Sequence, residues 1–222
     1  MFNVTAEMLR KIAGAPTNKG VVDGVVKYLP EVIQKYEINT PLRLAHFLSQ
    51  IAWESDHFRT LQEYASGQAY EGRRDLGNVN RGDGVRYKGR GVIQCTGKAN
   101  YDKYGKLLNL DLVDHPEWVA TPHVSMLIAG EYWKRTNLNH WADEDDVRQV
   151  THIINGGFNG LDGRKAMLVR AKQVLRGATE VAMLDDHDYR QFDTAIVNDH
   201  DPIEPDVAPE AVANVETTSV IV

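Results

Sequence analysis

Thr40-Pro41, followed by apolar residues at every third or fourth position, predicts one long helix in the first third of the chain and thereby a helical core. The threonine supplies an N-cap hydroxyl and the proline suits the first helical position. Leu44, Phe47, Leu48, Ile51 and Phe58 recur with a period near 3.6, so a helix over 41–59 with one buried face is expected. Glu54 belongs to that stripe: it lies three residues after Ile51, seven after Phe47 and four before Phe58. A carboxylate on an apolar face is costly. Burial disfavours its ionised form and raises the pKa, which suits a general acid working near neutral pH. The ordinary alternative is a helix-end glutamate turned to solvent or paired with an arginine such as Arg59.

The helical period continues along most of the chain. Further helices are predicted at about 5–14, 20–37, 98–109, 121–136, 143–155 and 162–176. In the first, Met8, Leu9 and Ile12 should face inward. Thr121-Pro122 repeats the cap-plus-proline start, and Asp143-Glu144-Asp145-Asp146 places acids where a helix N-terminus favours them. Trp118, Trp133 and Trp141 are expected in the core. Residues 60–97 are glycine-rich and irregular, with room for a short hairpin, and so long a loop in a compact domain is usually functional.

From about residue 177 the pattern fades into acid, alanine, proline and valine. We therefore expect one domain over 1–178 and an acidic, flexible tail over 179–222. Residues 1–176 hold 24 Lys+Arg against 20 Asp+Glu, whereas 177–222 hold one against eleven, so the total of −6 conceals a basic body. A basic surface suits an anionic polymer, through an attraction that salt weakens. Cys95 is the single cysteine, so no intrachain disulfide can form. The start reads as an amphipathic helix rather than a signal peptide, and no apolar run reaches membrane-spanning length. No His-x-x-x-His pair, Gly-x-Ser-x-Gly elbow or phosphate-binding loop occurs, so neither metal nor cofactor is expected.

The second informative segment is Tyr87-Lys88-Gly89-Arg90-Gly91-Val92-Ile93-Gln94-Cys95-Thr96-Gly97-Lys98-Ala99-Asn100-Tyr101. Its glycines permit unusual backbone conformations or close approach of a ligand. Arg90 offers a planar, permanently charged fork suited to carboxylates. Gln94, Thr96 and Asn100 provide neutral donors and acceptors fit for sugar hydroxyls, with Tyr87, Tyr101 and Tyr104 as stacking surfaces. An ordinary glycine turn leading into a strand and a helix is the plainer reading of the same residues.

Four segments, in order, resemble the family 19 glycoside hydrolases, which include plant chitinases and many bacteriophage endolysins. They are Trp53-Glu54-Ser55, the stretch from Glu63 to Arg73, Gly89 to Gln94, and Ile153-Ile154-Asn155-Gly156-Gly157. The match covers about residues 40 to 175 and is closest to the endolysin branch. The resemblance implies a mainly α, lysozyme-like fold and hydrolysis of a β-1,4 bond between amino sugars with inversion. Carried over by position, Glu54 matches the catalytic acid and Glu63 the base that activates water. Thr96 stands where the family often has a serine holding that water, and Gln94, Asn100 and Asn155 match sugar-binding positions. Trp53 departs from the histidine that many members have before the acid, and the segment between Glu54 and the Gly-Arg-Gly turn is shorter than in plant enzymes.

An inverting hydrolase holds its carboxyl groups roughly 6.5–9.5 Å apart. Nine residues along one unbroken helix would rotate Glu63 about 180° from Glu54, so the helix must end before Glu63. Glu71, in Tyr70-Glu71-Gly72-Arg73-Arg74, is the competing base; an ion pair with the adjacent arginines is its ordinary alternative. The expected substrate is peptidoglycan or a chitin-like polysaccharide, attacked by a monomer with no nucleic-acid or membrane partner. A catalytically idle glycan-binding module is the contrasting possibility. The absence of a signal peptide suggests synthesis in a host cytoplasm and action on the cell wall after release.

Overall fold

The computed structural model describes residues 2–185, with side chains placed as far as residue 177. The elements are α1 (Ala6–Ala13), α2 (Lys19–Lys35), α3 (Pro41–Glu54), α4 (Asp83–Arg86), α5 (Lys98–Leu108), α6 (Pro122–Arg135), α7 (Leu138–Asp143), α8 (Val147–Asn155) and α9 (Leu161–Asp185). The mainly α expectation holds. Among the described residues no helix is long and apolar enough to cross a membrane, and no cluster of His, Cys, Asp and Glu could hold a metal ion. The acidic segment beyond Asp185 lies outside the described residues, and α9 itself runs across the boundary expected near residue 178.

The helix begun by Thr40-Pro41 is the centre of the fold. Thr40 Oγ1 accepts the Arg43 N–H at 3.1 Å, as its sequence predicts. Its burial exceeds a single stripe: every residue from Leu44 to Ala52 is buried. Helix α9 packs along it, with α1, α7 and α8 on other sides. A helix wrapped in this way needs small residues as well as large ones, and Ala45, Ser49 and Ala52 supply them. His46 and Gln50, also buried, carry the polar atoms that must then be satisfied inside.

The expected helix over 41–59 stops at Glu54. Asp56, His57 and Phe58 follow with φ of 49°, 61° and 58°, in left-handed backbone that L-residues rarely hold in succession. Distant contacts hold it. His57 Nδ1 lies 2.8 Å from the Ala13 carbonyl, Phe58 C=O accepts from Asn18 N, and Ser55 Oγ accepts from Phe58 N. Phe58 is fully buried by this reversal, not by helical spacing.

The helix predicted at 143–155 begins only at Val147, as α8, while Asp143 closes the preceding α7 and the other acids lie between the two. Asp145 takes φ 56°, and Asp146 caps α8 by accepting from Gln149 N at 2.9 Å. Thr121 precedes Pro122 without capping; its hydroxyl donates to Trp118 C=O instead. Trp133 is core as expected, but Trp118 is 37% exposed and stacks on His115 at 4.3 Å. Residues 60–97 hold no hairpin, only the isolated antiparallel bridges Gln62 to Arg90 and Arg90 to Cys95 between short helical turns.

Candidate active site

Glu54 ends α3 with its side chain 2% exposed, ion-paired with the fully buried Arg164 of α9. The burial expected from its helical position is present, but the expected partner Arg59 is elsewhere, on the Pro16 carbonyl and Asp56. The Arg164 fork makes three connections: Nη2 to Glu54, Nη1 to Gln50 Oε1 at 2.5 Å, and Nε to the Asn159 carbonyl at 3.3 Å. Gln50 lies one turn before Glu54, so the fork grips two successive turns of α3. A buried guanidinium stabilises a carboxylate, the opposite influence to burial. Nearby, burial and then the Glu54 charge push the Tyr132 phenol up to about 12, and that hydroxyl donates to Ile153 C=O at 2.6 Å.

Trp53 lies across the start of α9. A Cβ at Gly160 would stand 2.2 Å from its ring, and one at Gly163 only 1.9 Å. The small residues flanking Arg164 are thus the bed of the indole beside the acid. Nothing in the local sequence around Glu54 names Arg164, Gln50 or this bed; the Gly160-x-x-Gly163-Arg164 spacing is the one available signal.

A second polar cluster is built from loops. Glu63 N donates to Gly89 C=O at 3.0 Å, which fastens the Glu63 segment to the Gly-Arg-Gly turn. Its Oε2 accepts from the Tyr70 hydroxyl at 2.9 Å, and its buried Oε1 has no partner among the described residues. Burial, and then the Glu63 charge, raise the Tyr70 phenol well above its ordinary range, keeping it a donor. Gly89 matters because side chains crowd it. A Cβ there would lie 2.9 Å from Gln94 Oε1 and 3.2 Å from both Glu63 Oε2 and Thr96 Oγ1. Three of the sequence-predicted residues, Glu63, Gln94 and Thr96, therefore converge on one glycine. Gln94 is held in left-handed backbone with its Nε2 donating to Gly91 C=O, and Thr96 Oγ1 donates to Gln94 C=O at 2.9 Å.

Other predicted residues serve the loops instead. Asn100 Nδ2 donates to Thr96 C=O at 2.8 Å, and Asn155 Oδ1 accepts from Asn159 N at 3.1 Å. Tyr87 is 2% exposed and donates its hydroxyl to Val113 C=O, so it has no face for a sugar. Tyr101 and Tyr104 are likewise buried. Arg90 points inward, donating to Arg86 C=O and the Tyr101 hydroxyl, both at 2.8 Å. Its fork ties the turn to the end of α4 rather than presenting a charge to substrate. Glu71 makes no pair with its neighbouring arginines. Its two oxygens accept from Gly82 N and Gly84 N, the latter at 2.8 Å, and Arg73 pairs with Asp75. Cys95 is buried and its thiol is pushed up to about 12 by burial, so it is not a nucleophile.

A lysozyme-like helical fold carrying a buried glutamate and a separate polar loop cluster is the class of protein this arrangement defines. Comparison sharpens it. No family model matches the chain. Over 113 residues it is 42% identical to a glycosyl hydrolase family 19 domain-containing protein of Haemophilus influenzae, covering 50% of this chain and 54% of that protein. An acidic endochitinase of Petunia hybrida is 37% identical over 103 residues, covering 37% and 41%. The chain thus spans about half the length of the curated relatives it matches. Chitinase C of Streptomyces griseus superposes with a TM-score of 0.62 at 18% identity, over 79% of this chain and 77% of that one. A family 19, class IV chitinase of Zea mays gives 0.58 at 18% identity, over 78% and 92%. These structures share the fold. Over the matched half, the chain is similar to family 19 glycosyl hydrolases, and the solved chitinases share its fold.

Proposed function

We propose that this chain hydrolyses β-1,4 bonds of an amino-sugar polymer by inversion, with peptidoglycan as its natural substrate and an endolysin's role in breaking the cell wall. The carrying observations are a buried Glu54 that closes the central helix and a second cluster in which Glu63, Gln94 and Thr96 meet around Gly89. In this reading Glu54 gives its proton to the glycosidic oxygen, and Glu63 removes a proton from the attacking water. Thr96 and Gln94 orient that water and the sugar hydroxyls. Support for Glu63 over Glu71 as base comes from their partners: Glu63 keeps one oxygen without a protein donor, while both oxygens of Glu71 hold backbone amides. The basic body over 1–176 favours an anionic polymer. Chitin is the second reading, favoured by the endochitinase names of several relatives.

The test is clearing of outer-membrane-permeabilised Gram-negative cells beside release of sugar from colloidal chitin, with the first product followed by NMR. Wild type should clear the cells and release the α-anomer, whereas Glu54→Gln should lower turnover by several orders of magnitude. A β-anomer, a 1,6-anhydro product, or a Glu54→Gln variant within tenfold of wild type would overturn the mechanism.

A further inference from the structure

Phe158 is a large apolar side chain, 42% exposed, in the loop that carries Asn155 to α9. A single exposed phenylalanine is ordinary. This one is mounted. The Arg148 guanidinium lies 4.1 Å from its ring centre, and the His152 imidazole stacks on it at 5.2 Å with planes 27° apart. Arg148 and His152 are one turn apart on α8, on one face of that helix. The phenyl therefore packs against both side chains and keeps part of its surface exposed.

Arg148 has no hydrogen bond or ion pair among the described residues, and its guanidinium lies over the ring. Stacking uses the flat face of a guanidinium and leaves its edge N–H groups free for a planar anion. The platform is also close to the acid. Asn159, next in the chain after Phe158, offers its carbonyl to Arg164 Nε, and the same fork holds Glu54. One peptide and one guanidinium thus separate the Phe158 platform from the group proposed to protonate the substrate.

We propose that Phe158, Arg148 and His152 form an outer subsite for a sugar residue that bears a carboxylate: the pyranose lies on the phenyl face and the carboxylate meets the Arg148 edge. Such a subsite distinguishes peptidoglycan, whose muramyl residues carry a free lactyl carboxylate where no stem peptide is attached and peptide carboxylates where one is, from neutral chitin. This inference rests on the glycoside-hydrolase reading above for its substrate, but its binding arm can be measured without turnover.

The experiment uses the full chain and two polymers, purified peptidoglycan and chitin oligosaccharide. The quantity read is the ratio of their kcat/KM values. Arg148→Gln should lower that ratio about tenfold, the scale of one charge-assisted hydrogen bond, through KM for peptidoglycan. Arg148→Lys, which keeps the charge but loses the fork, should fall between Gln and wild type. Phe158→Ala should raise KM for both polymers. Lys11→Gln, which removes a charge paired with Glu7 on α1, should leave the ratio within twofold. In parallel, Glu54→Gln and Glu54→Gln/Arg148→Gln are sedimented with insoluble peptidoglycan at low and high salt. Weaker binding by the double variant at low salt supports the subsite even if neither polymer is cleaved, in which case the hydrolase reading alone fails. Equal binding, or an unchanged ratio in Arg148→Gln, overturns the subsite.

Discussion

Removing Arg164 while leaving Glu54 should be among the most damaging single changes available to this fold. Arg164→Met keeps much of the side-chain volume but strands a carboxylate whose side chain is 2% exposed, and it releases Gln50 Oε1 and the Asn159 carbonyl as well. Breaking one side of a buried pair costs about 3–5 kcal/mol. For a chain of this size each kcal/mol moves Tm by about 2–4 °C, so a fall of about 6–20 °C is expected. The double variant Glu54→Gln/Arg164→Met removes both charges and should recover much of that loss, because a buried pair exchanged as a unit is often nearly neutral. Calorimetric melting of wild type, both single variants and the double variant gives the coupling directly. Activity supplies an independent reading. Without its cation the Glu54 carboxyl should hold its proton more tightly, so the alkaline limb of the pH–rate profile of Arg164→Met should move to higher pH. Additive melting shifts, or an Arg164→Met that melts within 2 °C of wild type, would refute this account of the pair.

Three other outcomes follow from the geometry. Glu63→Gln should lose turnover by orders of magnitude with little change in melting, whereas Glu71→Gln should cost about 1–3 kcal/mol of stability by weakening its hold on Gly82 N and Gly84 N; the opposite pattern in paired melting and clearing assays would move the base to Glu71. Gly163→Ala places a Cβ 1.9 Å from the Trp53 ring, so overpacking of about 1–3 kcal/mol should outweigh the roughly 1 kcal/mol gained in helix propensity; a variant more stable than wild type by thermal melting would contradict that balance. Burial holds the His46 imidazole below its ordinary pKa, with the bond to Asp145 opposing more weakly. The folded state then binds the proton less readily than the unfolded chain, so the His46 contribution is complete above about pH 6.5 and declines as pH falls below it. The stability gap between wild type and His46→Gln should shrink from pH 7 to pH 5, and a constant gap would exclude the linkage.

What the sequence made legible was local. The cap at Thr40, the stripe from Leu44 to Ile51 and the inward place of Glu54 depend on neighbours within a few turns, and all three hold. The early end of α3 does not follow from local spacing, because the left-handed run after Ser55 is held by Ala13 and Asn18, some forty residues away in sequence. The arginines show the same limit. Arg90 stood out because glycines flank it, yet its fork turns inward to Arg86 and Tyr101. Arg164, embedded in an unremarkable amphipathic stretch, is the one that meets the acid across 110 positions. For Glu71, the competing base, an ion pair with Arg73 and Arg74 is the ordinary alternative, but the amides of Gly82 and Gly84 hold it instead. Tyr87 carried no period that could mark it as buried. The convergence of Glu63, Gln94 and Thr96 was visible only through resemblance, since a loop-built cluster has no repeat to detect.

The enclosure of α3 bears on how such an enzyme can diversify. From Leu44 to Ala52 the helix has no free face, so almost any substitution disturbs packing in a dense interior. The exposed stretches at 72–75 and 79–82 are less restricted, and lengthening a surface loop costs little closure entropy, only about 0.6 kcal/mol per doubling. Inheritance is thereby divided between a conservative helical centre that holds Glu54 in place and more adaptable exposed loop stretches. A descendant of this chain can rebuild those stretches while Glu54 stays where it is.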